Sequence, residues 1–171
     1  MENKISQLIR QNIRSLIPYS SAREEYTVKD GIFLDANENP FGIYNRYPDP
    51  YQLAIKQRLG LLKNINPNKI FIGNGSDEII DLAYRIFCKP GIDKALTFSP
   101  TYGMYEVLAN INDIEIITCP LNKNFQIDRY EVNTFLSDTN LKLIFICSPN
   151  NPTGNLLNQQ DIEYCRSCYP R

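Results

Sequence analysis

The sequence contains no histidine. That absence removes imidazole general bases, His-containing catalytic triads and every His-ligated metal site from consideration. Any acid–base chemistry falls to Lys, Tyr, Cys, Asp or Glu. Long apolar runs are also lacking. Nothing approaches the roughly 20 apolar residues of a membrane-spanning helix, and the longest run, residues 143–147, has the length of a buried strand. Blocks of like charge are missing too. The 18 Lys and Arg against 19 Asp and Glu leave a formal charge of −1, so nothing electrostatic recommends nucleic acid or an anionic membrane as partner. The five cysteines are an odd number, which speaks against a disulfide framework, and Cys88, Cys119 and Cys147 lie in or beside apolar segments where a reduced thiol behaves as a small buried hydrophobe. The start lacks the continuous apolar core of a signal peptide. Met1-Glu2-Asn3-Lys4 leads instead into Ile5, Leu8, Ile9, Ile13 and Leu16 at helical spacing, so a soluble, cytoplasmic chain is expected.

What remains is ordinary globular composition: 171 residues, 43% hydrophobic and 11% aromatic, enough for one medium domain. After an N-terminal helix ending near Pro18, residues 19–50 are rich in Pro, Gly and Asn and read as loop, but Tyr19, Phe41, Tyr44 and Tyr47 argue for an ordered arm. A helix over 51–63 follows, with Leu53, Ile55, Leu59 and Leu62 on an imperfect apolar face. From Lys69 the pattern alternates: strand 70–72, helix 77–87, strand 95–98, helix 102–110, strand 115–119, helix 129–136, strand 141–147 and a helix from about Asn158. Alternation at this spacing means βαβ units. The expected fold class is α/β, a mostly parallel sheet with helices on both faces, preceded by an N-terminal helical arm.

In open parallel sheets ligands bind beyond the carboxyl ends of the strands, so the turns there carry the functional reading. In Gly73-Asn74-Gly75-Ser76-Asp77-Glu78 two glycines permit a sharp turn into a helix whose free amides suit a phosphate. The run is neither a P-loop nor a full dinucleotide fingerprint, and a plain turn capped by Asn74 or Ser76 is the simpler alternative. Ser99-Pro100-Thr101-Tyr102-Gly103-Met104-Tyr105 sets an aromatic ring just past a strand, where it either stacks on a planar ligand or packs in the core. Ser148-Pro149-Asn150-Asn151-Pro152-Thr153-Gly154 follows the most apolar strand, and Pro152 favours extended geometry at Asn151, aiming its amide at the ligand crevice. An anion cradle, a stacking ring and a fixed amide describe a site for a planar phosphorylated cofactor.

These three runs, together with Asn37-Glu38-Asn39-Pro40 and Arg46-Tyr47-Pro48, stand in an order that resembles class II pyridoxal-phosphate aminotransferases of fold type I, most of all the histidinol-phosphate aminotransferases. The resemblance covers about residues 12–163. It implies pyridoxal 5'-phosphate as cofactor and amino transfer between L-histidinol phosphate and 2-oxoglutarate in histidine biosynthesis. The backbone amides of Ser76, Asp77 and Glu78 would hold the cofactor phosphate, Tyr102 would stack on the pyridine ring and Asn151 would bond its hydroxyl. Tyr47 would reach the phosphate of a neighbouring subunit in a homodimer, and Tyr19 with Asn39 would line the substrate pocket.

The resemblance places the Schiff-base Lys of the family, set in a Ser-x-x-Lys run, and the Asp partner of the pyridine nitrogen outside this sequence, so no catalytic residue is assigned and the isolated chain is expected to be inactive. It also implies that strand 70–72 is separated from the other three by strands this chain does not contain. Residues 1–50 are taken as the arm, 51–163 as part of the cofactor-binding large domain and 164–171 as an atypical tail pointing to truncation. Cys165 and Cys168 in that tail form half a zinc pattern with no second half, so no metal is expected. Alternatives are another fold type I enzyme such as a threonine-phosphate decarboxylase, or a non-catalytic fragment acting through binding or dimerisation. A nicotinamide-binding Rossmann domain is disfavoured by the missing third glycine.

Overall fold

A computed structural model describes residues 4–26 and 31–168. The beginning of the N-terminal segment at Met1–Asn3 and the end of the tail at Tyr169–Arg171 therefore lie outside the described residues. The chain divides into two compact units, one built from residues 1–15 and 74–171, the other from residues 16–73.

The first unit holds α1 (Lys4–Leu8), α2 (Gln11–Arg14), α5 (Gly75–Phe87), β1 (Lys94–Ser99), α6 (Met104–Ile111), β2 (Glu115–Pro120), α7 (Arg129–Leu136), β3 (Leu141–Ile144) and α8 (Gln159–Cys168). Among the described residues the strands form one parallel sheet in the order β2-β1-β3. Alternation along β1 explains its two buried faces. Ala95 turns to a core of Ile80 and Tyr84 from α5, Tyr105, Leu108 and Ala109 from α6, and Ile114; Leu96 and Phe98 turn to Cys119, Ile127, Val132, Leu141, Leu157 and Cys165 beneath α7 and α8. The sheet is thus covered on both sides, as the alternation predicts. At its lower end Lys94 reaches Glu115 on β2 and Asp138 before β3, 3.2 Å from each, and ties the starts of the three strands together.

Several expected boundaries move, each for a local reason. The N-terminal helix is broken at Ile9–Arg10, because the Arg10 amide donates to the Ile86 carbonyl (3.0 Å) and its guanidinium to the Arg85 carbonyl (2.8 Å), capping the last turn of α5. The strand expected over 141–147 pairs only through Ile144, with one further bond from the Phe145 amide to Leu96 (2.9 Å), since β1 is its sole neighbour in the sheet. The strand expected over 70–72 does not form. Among the described residues they have no lateral backbone partner, Phe71 is 59% exposed, and extended backbone without a neighbour is not held. Glu163 lies inside the last helix of the unit. Helix α8 runs on to Cys168, with Cys165 buried in the core and Tyr164 bonded to Asn133 (2.7 Å) beneath the Arg129 guanidinium. Burial pushes the Cys88 thiol up to about 12 and those of Cys119 and Cys165 up to about 11, so all three behave as hydrophobes.

The second unit holds α3 (Ala22–Glu25), α4 (Leu53–Lys63) and a 3-10 turn (Pro67–Lys69). Helix α4 starts two residues later than the apolar pattern suggests because the Asp49 carboxylate accepts from the amides of Tyr51 and Leu53 (both 2.8 Å) and so sets its first turn. Those bonds hold the Asp49 carboxyl below the usual carboxylate range. Near its end Gly60 is required by close approach: a Cβ there would stand 2.7 Å from the Ile65 carbonyl.

Candidate functional site

The residues singled out around Gly73–Glu78 begin helix α5. Gly75, not Asp77, is its first residue, at φ +76, a conformation that favours glycine, while the space a Cβ would occupy is open. The simpler alternative, a turn capped by a side chain, is not what forms. Asn74 makes no capping bond. Instead the Glu78 carboxylate reaches back to accept from the Asn74 amide (2.5 Å) and its Nδ2 (3.1 Å). The Asp77 carboxylate accepts from the Tyr102 hydroxyl (3.0 Å). Both acids of the first turn are therefore engaged by donors of the protein, and the first-turn amides at Ser76 and Asp77, which have no intrahelical acceptor, are left without a side-chain cap, next to the Glu78 amide, the first that can turn to the Asn74 carbonyl. That donor set fits a phosphate.

Tyr102 lies half-buried where β1 gives way to α6, and its bond to Asp77 brings the turn after β1 against the start of α5. The same bond raises the phenol pKa, because a tyrosinate would face the carboxylate. Its ring meets that of Tyr105 edge to face (5.7 Å, 88°). Tyr105 in turn stacks on Phe145 (4.9 Å, 22°), which leans on Tyr84 (5.1 Å). The core role that sequence leaves open for Tyr102 falls to Tyr105 and Tyr84, with burial pushing the Tyr105 phenol up to about 12. Tyr102 sits at the rim of this aromatic row, its ring backed by it.

The loop after β3 holds the two asparagines in different states. Asn151 is exposed and its carboxamide makes no hydrogen bond among the described residues, so it is free to bind a ligand. Asn150 is 3% exposed, and its carboxamide is bonded to Thr101 (2.9 Å), the Pro100 carbonyl (2.9 Å) and Thr153 (2.7 Å). The peptide bonds before Pro100, Pro149 and Pro152 are cis. Nothing in the runs that hold them sets Asn150 or Thr101 apart from their neighbours. The doubling of Asn in an otherwise turn-forming run was the available signal that one of the two is structural.

Ser76, Asp77, Glu78, Tyr102 and Asn151 thus belong to one unit, where hydrogen bonds link the turns that carry them. Tyr19, Asn39 and Tyr47 belong to the other and are placed within it. Tyr19 and Tyr47 are exposed there. Asn39 accepts from the Phe41 amide (2.9 Å) and its carbonyl from Asn45 (2.6 Å), while Glu38 accepts from the Tyr47 amide (2.9 Å) and pairs with Arg46 (2.7 Å). Glu38, with its side chain 4% exposed, is the organising residue of this arm segment, fastening the Arg46-Tyr47 run to the Asn37–Pro40 run.

Two further features need placing. A cavity of about 530 Å³ lined by Ile5, Leu8, Phe87, Leu136, Leu141 and Cys168 lies where β3 begins, at the end of the sheet away from the turns; its Asp138 and Lys142 are engaged with Lys94 and the Thr139 carbonyl. The run Asp81-Leu82-Ala83-Tyr84 lies inside α5. There Asp81 accepts from Asn112 (2.7 Å) and pairs with Arg85 (2.7 Å), bonds that hold its carboxyl below the usual range, and Tyr84 donates to the Tyr105 carbonyl (2.8 Å). It serves the packing of α5 on α6.

Residues 22–166 match the family described as aminotransferase class I and II. A histidinol-phosphate aminotransferase of Cytophaga hutchinsonii is 52% identical over 170 residues, covering 95% of this chain and 48% of that protein. The chain spans about half the length of the relatives it matches. Among solved structures, a histidinol-phosphate aminotransferase from Sinorhizobium meliloti in complex with pyridoxal-5'-phosphate superposes with a TM-score of 0.65 at 20% identity, covering 73% of this chain and 34% of that one. An L-threonine-O-3-phosphate decarboxylase from Porphyromonas gingivalis does so with a TM-score of 0.57 at 24% identity, covering 73% and 37%. At such identities these likenesses concern the fold, a parallel sheet flanked by helices. With the family match running over most of its length, the chain belongs to the aminotransferase class I and II family.

Proposed function

We propose that this chain forms the cofactor-anchoring half of a pyridoxal-phosphate-dependent aminotransferase, and that the whole protein moves an amino group between L-histidinol phosphate and 2-oxoglutarate in the cytoplasm as a homodimer. The observation that carries the proposal is the side-chain-uncapped start of α5, bonded through Asp77 to a rim tyrosine, on a chain 52% identical to a histidinol-phosphate aminotransferase.

When bound, pyridoxal phosphate supplies the electron-withdrawing ring on which amino transfer depends. The residues of this chain hold it in place. The amides of Ser76, Asp77 and Glu78 donate to the phosphate, aided by the helix dipole, while the two carboxylates of that turn stay engaged with Tyr102 and Asn74. Tyr102 covers one face of the ring, its own orientation fixed by Asp77 behind it and Tyr105 beside it. Asn151 donates to the ring oxygen. Tyr47 reaches the phosphate of a neighbouring subunit, and Tyr19 and Asn39 meet the substrate. The Lys that carries the cofactor covalently and moves the proton belongs to the half of the family pattern outside this sequence, so the 171-residue chain alone binds without catalysing.

A chimera tests this reading: residues 1–163 continued by the second half of the Cytophaga hutchinsonii relative, assayed with histidinol phosphate and 2-oxoglutarate and, separately, with threonine phosphate. Glutamate formation with the first pair, lost in Tyr102→Ala, supports it. Decarboxylation of threonine phosphate instead would assign the chain to the other enzyme, and glutamate formation by residues 1–171 alone above the free-cofactor background would refute the division of labour.

A further inference from the structure

We propose that Asn150 is a positioning residue that sets the spacing between the ring-stacking and ring-bonding groups of the cofactor site. The inference rests on the pyridoxal-phosphate reading above and goes beyond it by naming what holds that site together.

Asn150 is one of three buried polar residues among those described, and every polar atom it has is used. Its Oδ1 accepts from the Thr101 hydroxyl (2.9 Å), and its Nδ2 donates to the Pro100 carbonyl (2.9 Å) and the Thr153 hydroxyl (2.7 Å). Its amide donates to the Asn155 carbonyl (2.9 Å) and its carbonyl accepts from the Gly154 amide (2.7 Å), closing the loop on itself. The sheet cannot do this work. The last backbone bond between β1 and the chain after β3 joins the Phe145 amide to Leu96, well short of either turn. Among the described residues, every hydrogen bond between the turn after β1 and the loop at 148–154 runs through the Asn150 carboxamide.

The position of that link gives it its meaning. On one side it grips Pro100 and Thr101, the residues next to Tyr102; on the other, its own backbone leads directly into Asn151. A planar ligand held on its face by Tyr102 and at its edge by Asn151 needs those two groups at one fixed separation, and the side chain between them sets it. Asparagine alone among the small residues supplies one acceptor and two donors in a plane. Aspartate would lose both donors, the one to the Pro100 carbonyl and the one to the Thr153 hydroxyl, and alanine would take all three bonds away.

The test uses the 171-residue chain with pyridoxamine 5'-phosphate, which carries the ring, hydroxyl and phosphate but no aldehyde to react with surface lysines, and with inorganic phosphate as competitor for the α5 amides. Asn150→Ala is expected to weaken pyridoxamine phosphate about tenfold while leaving the phosphate competition constant within about twofold. Asn151→Ala is expected to cost about fivefold in the wild-type chain and less than about twofold on the Asn150→Ala background, the coupling that a positioning role demands. Should Asn150→Ala fail to fold, Thr101→Val removes a single partner hydroxyl and is held to the same criteria, with a loss of about threefold. Unchanged affinity in the variant, or equal losses for both ligands, would overturn the inference while leaving the cofactor reading intact. A wild-type chain that binds phosphate but gains nothing from the pyridine ring would refute the cofactor reading, and this inference with it.

Discussion

Thr97 sits in the middle of β1, the central strand, 5% exposed, and its hydroxyl has no hydrogen-bond partner among the described residues. It shares its face of the sheet with Ala95, which packs against α5 and α6. Thr97→Val replaces that hydroxyl by a methyl of the same shape and keeps the β-branched preference for strand, so backbone propensity is held constant. A buried hydroxyl left without a partner costs about 1–3 kcal/mol, and its removal with an isosteric methyl recovers about 1–2 of these. For a chain of 171 residues each kcal/mol corresponds to about 2–4 °C, so the unfolding midpoint is expected to rise by about 2–8 °C. Circular dichroism on heating, checked by urea unfolding with an unchanged m-value, measures it. Thr97→Ser, which keeps the hydroxyl and loses the methyl, should fall below wild type. A Val variant no more stable than wild type would refute the reasoning, since the hydroxyl would then have found a partner in solution.

Lys94→Met removes the staple between Glu115 and Asp138. Asp138 is held below the usual carboxylate range, first by the Asn140 amide and then by Lys94, so its contribution is present above the ordinary carboxylate pKa and disappears as pH falls through the lowered value. Lys94 is raised by Asp138 and then Glu115, so its contribution persists to alkaline pH and is lost only as pH climbs through the raised value. Urea unfolding should therefore show a gap between wild type and variant at pH 7 that narrows by pH 3; a constant gap would mean the lysine acts through packing of its stem. Asp77→Asn should lower the Tyr102 phenol pKa towards the ordinary phenol value, read as the ultraviolet titration difference against Tyr102→Phe, because the carboxylate that disfavours tyrosinate is gone. No change there would show that the hydroxyl does not face Asp77 in solution.

Much of the sheet is legible in the residues themselves, and the reason is burial. Along β1 the apolar side chains feed two cores, so both faces are encoded in one short run, and α5 and α6 carry apolar stripes at helical spacing that meet one of them. Where burial is absent the reading loses its grip. Residues 70–72 have strand composition but, among the described residues, no neighbour to pair with, and composition cannot supply one. The break at Arg10 answers to the Arg85 and Ile86 carbonyls at the end of α5, the nearer 75 residues away, a long-range demand that local spacing does not contain. That Cys165 falls on the buried side of α8 depends on the core beneath it, which the residues after Glu163 do not contain.

The start of α5 shows the same limit for the site. Two acids in the first turn of a helix complement its dipole and, taken alone, argue against an anion there. Whether they block the amides depends on where the carboxylates go, and that is decided by Tyr102, 25 residues on, and by Asn74 just before the helix. Tyr102 engages Asp77, so the residue that would cover the ring also draws a carboxylate into its own hydrogen bond. Glu78 turns back on Asn74, so the group that could have capped the helix is itself held. The amides remain because the side chains around them satisfy one another. A motif can announce that an anion site is possible; the pairing of its acids with a tyrosine and an asparagine is what leaves the amide donors uncapped, and that pairing exists only once the turn after β1 is folded against α5.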